Sequence, residues 1–295
     1  MNSRNSIAAG SHSLRKRGNL FPSHSFAQRL GSMLEVDSRR MFTGSLFWIC
    51  LGCAFAIPIL VLVMTSMVGG ENGGMMFTNT WQIIGTEGTN MFAMMGAAMG
   101  GGDGAAAAGA DAAAGMMDMT FMMNINLMYF LAGVFLCLFV AEDFRSGYAK
   151  NLFTVRAKKT DYVASKTIIC FIAGVLFLLA FFLGGILGGS IAGLPFTLGS
   201  AGAAGLIMCM LAKIFLMAVF VAIFLLMAVF ARHRSWLSIC LCLFGGMLLF
   251  MMIPMMTPLD SGVINVGMCL AGGVIFSAAI GAASNMILKR TSLVG

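Results

Sequence analysis

Apolar residues run in six blocks along the chain: Ser45 to Val68, Ile125 to Ala141, Thr167 to Gly193, Gly205 to Ala231, Leu237 to Met256 and Gly262 to Asn285. Each approaches or exceeds the ~20 residues that cross a bilayer as a helix, so the pattern predicts an all-α polytopic membrane protein with six transmembrane helices. The stretch before the first block reads differently. Phe26, Leu30, Met33, Leu34 and Met41 recur at helical spacing among Arg29, Glu35, Asp37, Arg39 and Arg40, which suits a helix lying in the membrane interface; the alternative is a plain polar lead-in. The first 24 residues are polar and aperiodic, as in a mobile tail. The domain plan is thus a tail and interfacial helix over 1–43, then a transmembrane domain over 44–295.

Composition supports this reading, because 59% of the 295 residues are hydrophobic and only 10% charged, against roughly 25% in soluble domains. The net charge of +7 matters through its placement. Seven Lys and Arg precede Phe42, six lie between the second and third blocks, Arg232 and Arg234 follow the fourth, and Lys289 and Arg290 follow the sixth. The three segments on the other side hold six acids (Glu71, Glu87, Asp103, Asp111, Asp118, Asp260) and no Lys or Arg. By the positive-inside rule both termini are cytoplasmic, in the plasma membrane of a prokaryote. The basic charge is topological, so no nucleic-acid partner is expected. All eight cysteines fall in apolar blocks, where Cys50 and Cys53 read as small packing residues. The 24-residue first block lacks the small-residue site of a cleavable signal peptide.

Candidate chemistry is sparse. The external segment 69–123 holds 11 of the 28 methionines and the single Trp81. Thioethers suit cuprous ions, and Met91, Met94, Met95 and Met99 can line one helical face; a flexible apolar flap is the competing reading. Lys213, the only basic residue inside a block, either faces a bundle interior or snorkels outward. With Trp81 it is the candidate for a substrate pathway. Pro58 is expected to kink the first span. Gly184, Gly185, Gly188 and Gly189 form a small-residue face for helix packing, within the chain or at a dimer seam. Ser190 is an unsuitable nucleophile, because His12, His24 and His233 all belong to the opposite side. No catalytic or metal-binding residue is expected.

The segment 142–166 is dense in charges of both signs and in aromatics. Glu142, Asp143, Phe144, Arg145, Gly147, Tyr148 and Lys150 open it, and Tyr162 and Lys166 lead into the third span. Here the sequence resembles the permease subunits of type-2 ATP-binding-cassette exporters. The matching elements are the acidic pair Glu142 and Asp143, then Gly147, Lys150-Asn151-Leu152, Tyr162 and Lys166; Tyr148 departs from a common Thr. The resemblance implies that those first seven residues form a cytoplasmic coupling helix for a separate ATPase subunit carrying ATP and Mg. This chain, which has no phosphate-loop motif, would hold no cofactor. A second permease copy would complete the pathway, in a homodimer or with a related subunit. The expected cargo is amphiphilic or apolar: a peptide antibiotic, lipid or drug. Cuprous-ion handling by the methionine-rich segment is the alternative function, and a membrane scaffold a third.

Overall fold

The computed structural model describes residues 25–68, 77–85, 123–155, 159–198, 202–231, 234–250, 253–259 and 261–290. The N-terminal tail to His24 and the methionine cluster Met91 to Met99 lie outside the described residues.

Regular structure among the described residues is entirely helical. Helix α1 spans Phe26–Thr43; Ser25 caps it, its hydroxyl accepting from the Gln28 amide while the Gln28 side chain accepts from the Ser25 amide. Gly44 interrupts the chain and α2 follows at once over Ser45–Val68, the bounds that the apolar pattern gave. The remaining helices are α3 (Leu127–Arg145), α4 (Tyr148–Val155), α5 (Lys159–Ala192), α6 (Gly202–Phe230), α7 (Ser235–Phe250), α8 (Ile253–Met256) and α9 (Val263–Arg290).

Five of these, α2, α3, α5, α6 and α9, are long and apolar enough to cross a membrane. The expected fifth block, Leu237 to Met256, instead divides into the 16-residue α7 and the four-residue α8. Pro254 has no amide hydrogen to continue a helix from α7, and the chain beyond it turns inward to bury Thr257 and Leu259. A second difference is the start of α5, eight residues before Thr167. Polar residues there find buried partners, so the helix extends into what the sequence alone reads as loop, and the surface helix α4 is only eight residues long.

Helix α2 packs along α5 and α9 along α6, while α3 lies between these pairs in contact with α5, α6 and α7. The α2–α5 seam depends on the glycine face. A Cβ on Gly188 would lie 2.8 Å from the Ile59 Cα, and one on Gly184 would strike the Phe55 carbonyl oxygen beside Pro58. Gly185 and Gly189 face Ile83 and Thr80 of a 3-10 turn over Thr80–Ile83. The glycines therefore serve packing within one chain. Outward positions such as Leu60, Met64, Val274 and Ile275 are exposed and apolar, as a hydrocarbon solvent requires.

The seam gives a direct test. Gly188→Leu forces α2 and α5 apart and is expected to cost about 1–3 kcal/mol. Gly267→Ala, with no atom within 4 Å of its new Cβ, should be neutral or stabilising by up to about 1 kcal/mol. Unfolding of the purified variants in detergent reads both.

Candidate functional site: a buried ion network and a buried lysine

Two polar clusters stand out in an apolar interior, one at each end of the bundle. At the end carrying the α3–α5 connection, four charged residues meet. Lys166, with its side chain 0% exposed, places Nζ 2.9 Å from Asp37 Oδ1 and 2.7 Å from Asp143 Oδ2. The Arg40 guanidinium donates to Asp143 Oδ1 at 2.6 Å. Two carboxylates and two cations make the cluster neutral. The remaining acceptors are filled as well, since Tyr162 donates to Asp143 Oδ2 at 2.9 Å and Ser165 to Asp37 Oδ2 at 2.7 Å. Lys166 also sits 4.1 Å above the Phe139 ring, a cation–π contact. Such completeness matters, because a buried charge left without a partner costs several kcal/mol.

Helix spacing brings these groups together. Met33, Asp37 and Met41 are four residues apart and form the buried stripe of α1, so the carboxylate belongs to the same face as the two methionines. Tyr162, Ser165 and Lys166 share one face of α5, and Asp143 lies in the last turn of α3. A second pair, Arg29 to Asp161 at 2.9 Å, fastens the start of α1 to the first turn of α5.

The residues predicted from the sequence separate by role. Asp143 is fully buried, whereas Glu142 and Arg145 are exposed. Gly147 has φ +73 and allows the reversal between α3 and α4. Tyr148 lies half-buried with its ring 4.2 Å beneath the Arg40 guanidinium. Burial opposes the Arg40 charge, but Asp143, Tyr148 and Asp37 together carry its pKa above the ordinary value. Burial, then the Asp37 charge, raises the Tyr148 phenol despite Lys166 and Arg40, so it stays neutral at physiological pH and serves as an aromatic platform. Phe144 and Phe153 edge onto Tyr162 at 6.3 and 5.3 Å, and Ala149 is fully buried. Lys150 belongs to α4. This helix thus rests its apolar face on the network, beside the exposed Glu142 and Arg145.

At the opposite end Lys213 turns inward and is 1% exposed, which resolves the choice between interior and snorkelling positions. Its ammonium donates to Asn126 Oδ1 at 3.1 Å and Thr257 Oγ1 at 2.9 Å. The Tyr129 hydroxyl donates to the Lys213 carbonyl at 2.9 Å. No carboxylate lies within ion-pair distance among the described residues. Trp81 belongs to the same end but to other contacts, stacking 6.3 Å from Phe182 and edge-on to Phe196 at 5.6 Å. No described hydrogen bond or ring contact joins it to Lys213.

Sequence reasoning missed Asp37, Arg40 and Arg29 as network members, and Asn126 and Thr257 as partners of Lys213. For Asp37 a signal existed in its register with Met33 and Met41. For Thr257 nothing local marks it, since its role depends on α8 folding inward.

A model of the family described as "ABC-2 family transporter protein" matches residues 91–249, more than half of the chain. No curated protein and no solved structure matches.

Neutrality of the network can be checked by substitution. Lys166→Met leaves two carboxylates facing one arginine and is expected to cost about 3–5 kcal/mol. The double variant Asp37→Leu/Lys166→Met restores neutrality through Arg40 and Asp143, so it should be more stable than Lys166→Met alone. SDS-titration unfolding measures the order; a double variant less stable than the single would refute the charge-balance account.

Proposed function

Because this chain belongs to the ABC-2 family of transporter proteins, we propose that it is the permease subunit of an exporter powered by a separate ATPase. Family membership makes it the membrane subunit of an ABC transporter and implies pairing with an ABC ATPase subunit. Beyond that, our reading is a six-span subunit, with α7 as the fifth span and both termini cytoplasmic, working with a second permease copy on an amphiphilic or apolar cargo. The cargo class is supported by an interior in which Lys213 is the only ionisable group away from the ion network, apart from tyrosine and cysteine.

The observation that carries the reading is the network beneath α4. An ATPase docked on α4 and on the exposed Glu142 and Arg145 would push against elements that cannot slip independently. Tyr148 passes the load to Arg40 of α1, and Phe153 passes it to Tyr162 of α5. Asp143 and Lys166 tie α3 to both. Helix α5 in turn carries α2 along the glycine seam, so nucleotide-driven motion at α4 would move α1, α2, α3 and α5 as a block relative to α6 and α9. Rigid-body switching of this kind is a common transporter device. At the other end, Lys213 would meet cargo only when Asn126 and Thr257 part from it, which makes it a latch of the outer gate in this scheme.

The test separates docking from folding. Glu142→Lys with Arg145→Glu changes only exposed groups, and it should leave thermal stability unchanged while reducing ATPase co-purification and transport at least about tenfold. Full retention of the ATPase by this variant would sink the docking assignment. Independently, reporter fusions after Arg290 should be active only in cytoplasmic form.

A further inference from the structure

Between the first three turns of α5 and the last turns of α9 runs an open cleft of about 520 Å³. It arises because α5 is drawn toward α2 and α9 toward α6, leaving the two helices apart at the end that carries the ion network. Val163, Ala164 and Ile168 line one wall and Ala278, Gly281 and Ala282 the other. The walls are nearly all apolar, and small residues provide the room: a Cβ on Gly281 would meet no atom within 4 Å. Polar groups concentrate at its mouth. Asn285 lines that end with its Oδ1 buried and without a hydrogen-bond partner, and the neighbouring Ser284 hydroxyl is also buried and unpartnered. Lys159 opens α5 one residue before the lining Thr160, while Lys289 and Arg290 close α9 one turn beyond Asn285. The nearest acid in sequence, Asp161, is already bonded to Arg29.

We propose that this cleft binds a bilayer phospholipid with an anionic headgroup, one acyl chain lying between α5 and α9 and the phosphate at the basic mouth. An apolar channel ending in unpartnered polar atoms and three basic residues has the polarity of such a molecule. A neutral lipid would leave the basic residues uncompensated, and each contributes about 1 kcal/mol toward an anionic surface. The site does not require the ATPase, so it stands or falls separately from the exporter reading.

Native mass spectrometry of the full chain, purified in mild detergent and titrated with phosphatidylglycerol or phosphatidylcholine of matched chains, tests it. The unmodified chain should retain phosphatidylglycerol at about tenfold lower concentration than phosphatidylcholine. Ala278→Leu with Gly281→Leu fills the cleft and should weaken phosphatidylglycerol binding at least about tenfold. Lys289→Gln with Arg290→Gln should erase the preference between the two lipids. Equal binding of both lipids by the unmodified chain, or unchanged binding by the filled variant, overturns the proposal; so does a change of oligomeric state in the filled variant, which would make the cleft a contact between copies. Should that variant fail to fold, phosphatidylglycerol carrying a photoreactive acyl chain decides on the unmodified chain. Labelling within 160–168 and 277–285 supports the site, and labelling confined elsewhere refutes it.

Discussion

A charge removed from water must find its counter-charge within hydrogen-bond reach, and at one end of this bundle that requirement decides which helices are neighbours. Lys166 is wholly enclosed, and its two carboxylate partners come from different helices, Asp37 from α1 and Asp143 from α3. Neither acid can be withdrawn without leaving a buried ion, so α1 is held to the bundle as firmly as a span. Arg40 completes the balance and brings Tyr148 under its guanidinium, which sets α4 on the surface. The position of the surface helix follows from a neutrality condition beneath it.

The rest of the architecture answers different demands. Along the α2–α5 seam no polar group is involved; the glycines bring backbones close enough for van der Waals contact to hold them. At the far end Lys213 is satisfied by an amide and a hydroxyl rather than by carboxylates. Parting Lys213 from Asn126 and Thr257 forfeits hydrogen bonds to neutral groups, worth about 1.5–3 kcal/mol each. Separating the ions at the other end leaves uncompensated charge, at about 3–5 kcal/mol. The bundle is therefore stiffer where α4 rests and more easily opened where Lys213 lies. The α5–α9 cleft follows from the same pairing of helices, since each of its walls is committed to another neighbour.

Much of this was legible before any coordinates. The apolar blocks located five long helices, one of them to the residue, and the mixed segment after the second block marked the surface helix together with Tyr162 and Lys166. The limits of local reading show in particular residues. Asp143 and Glu142 are adjacent and alike in sequence, yet one is buried and the other exposed, because α3 turns only one of them toward α5. Asp37 reads as an ordinary polar residue of an interfacial helix unless its register with Met33 and Met41 is followed. The break at Pro254 was visible, but not that the chain would turn inward there and deliver Thr257 to Lys213.

What the sequence determined by itself is the solvent each segment requires: runs of apolar residues at bilayer length exclude any other environment, and charge asymmetry marks the two ends. The tertiary structure alone decided which charges became partners. Pairing across 103 residues between Arg40 and Asp143, or 129 between Asp37 and Lys166, depends on how helices cross and rotate. No local pattern encodes that geometry, because the energy that selects it exists only once the charges are buried together.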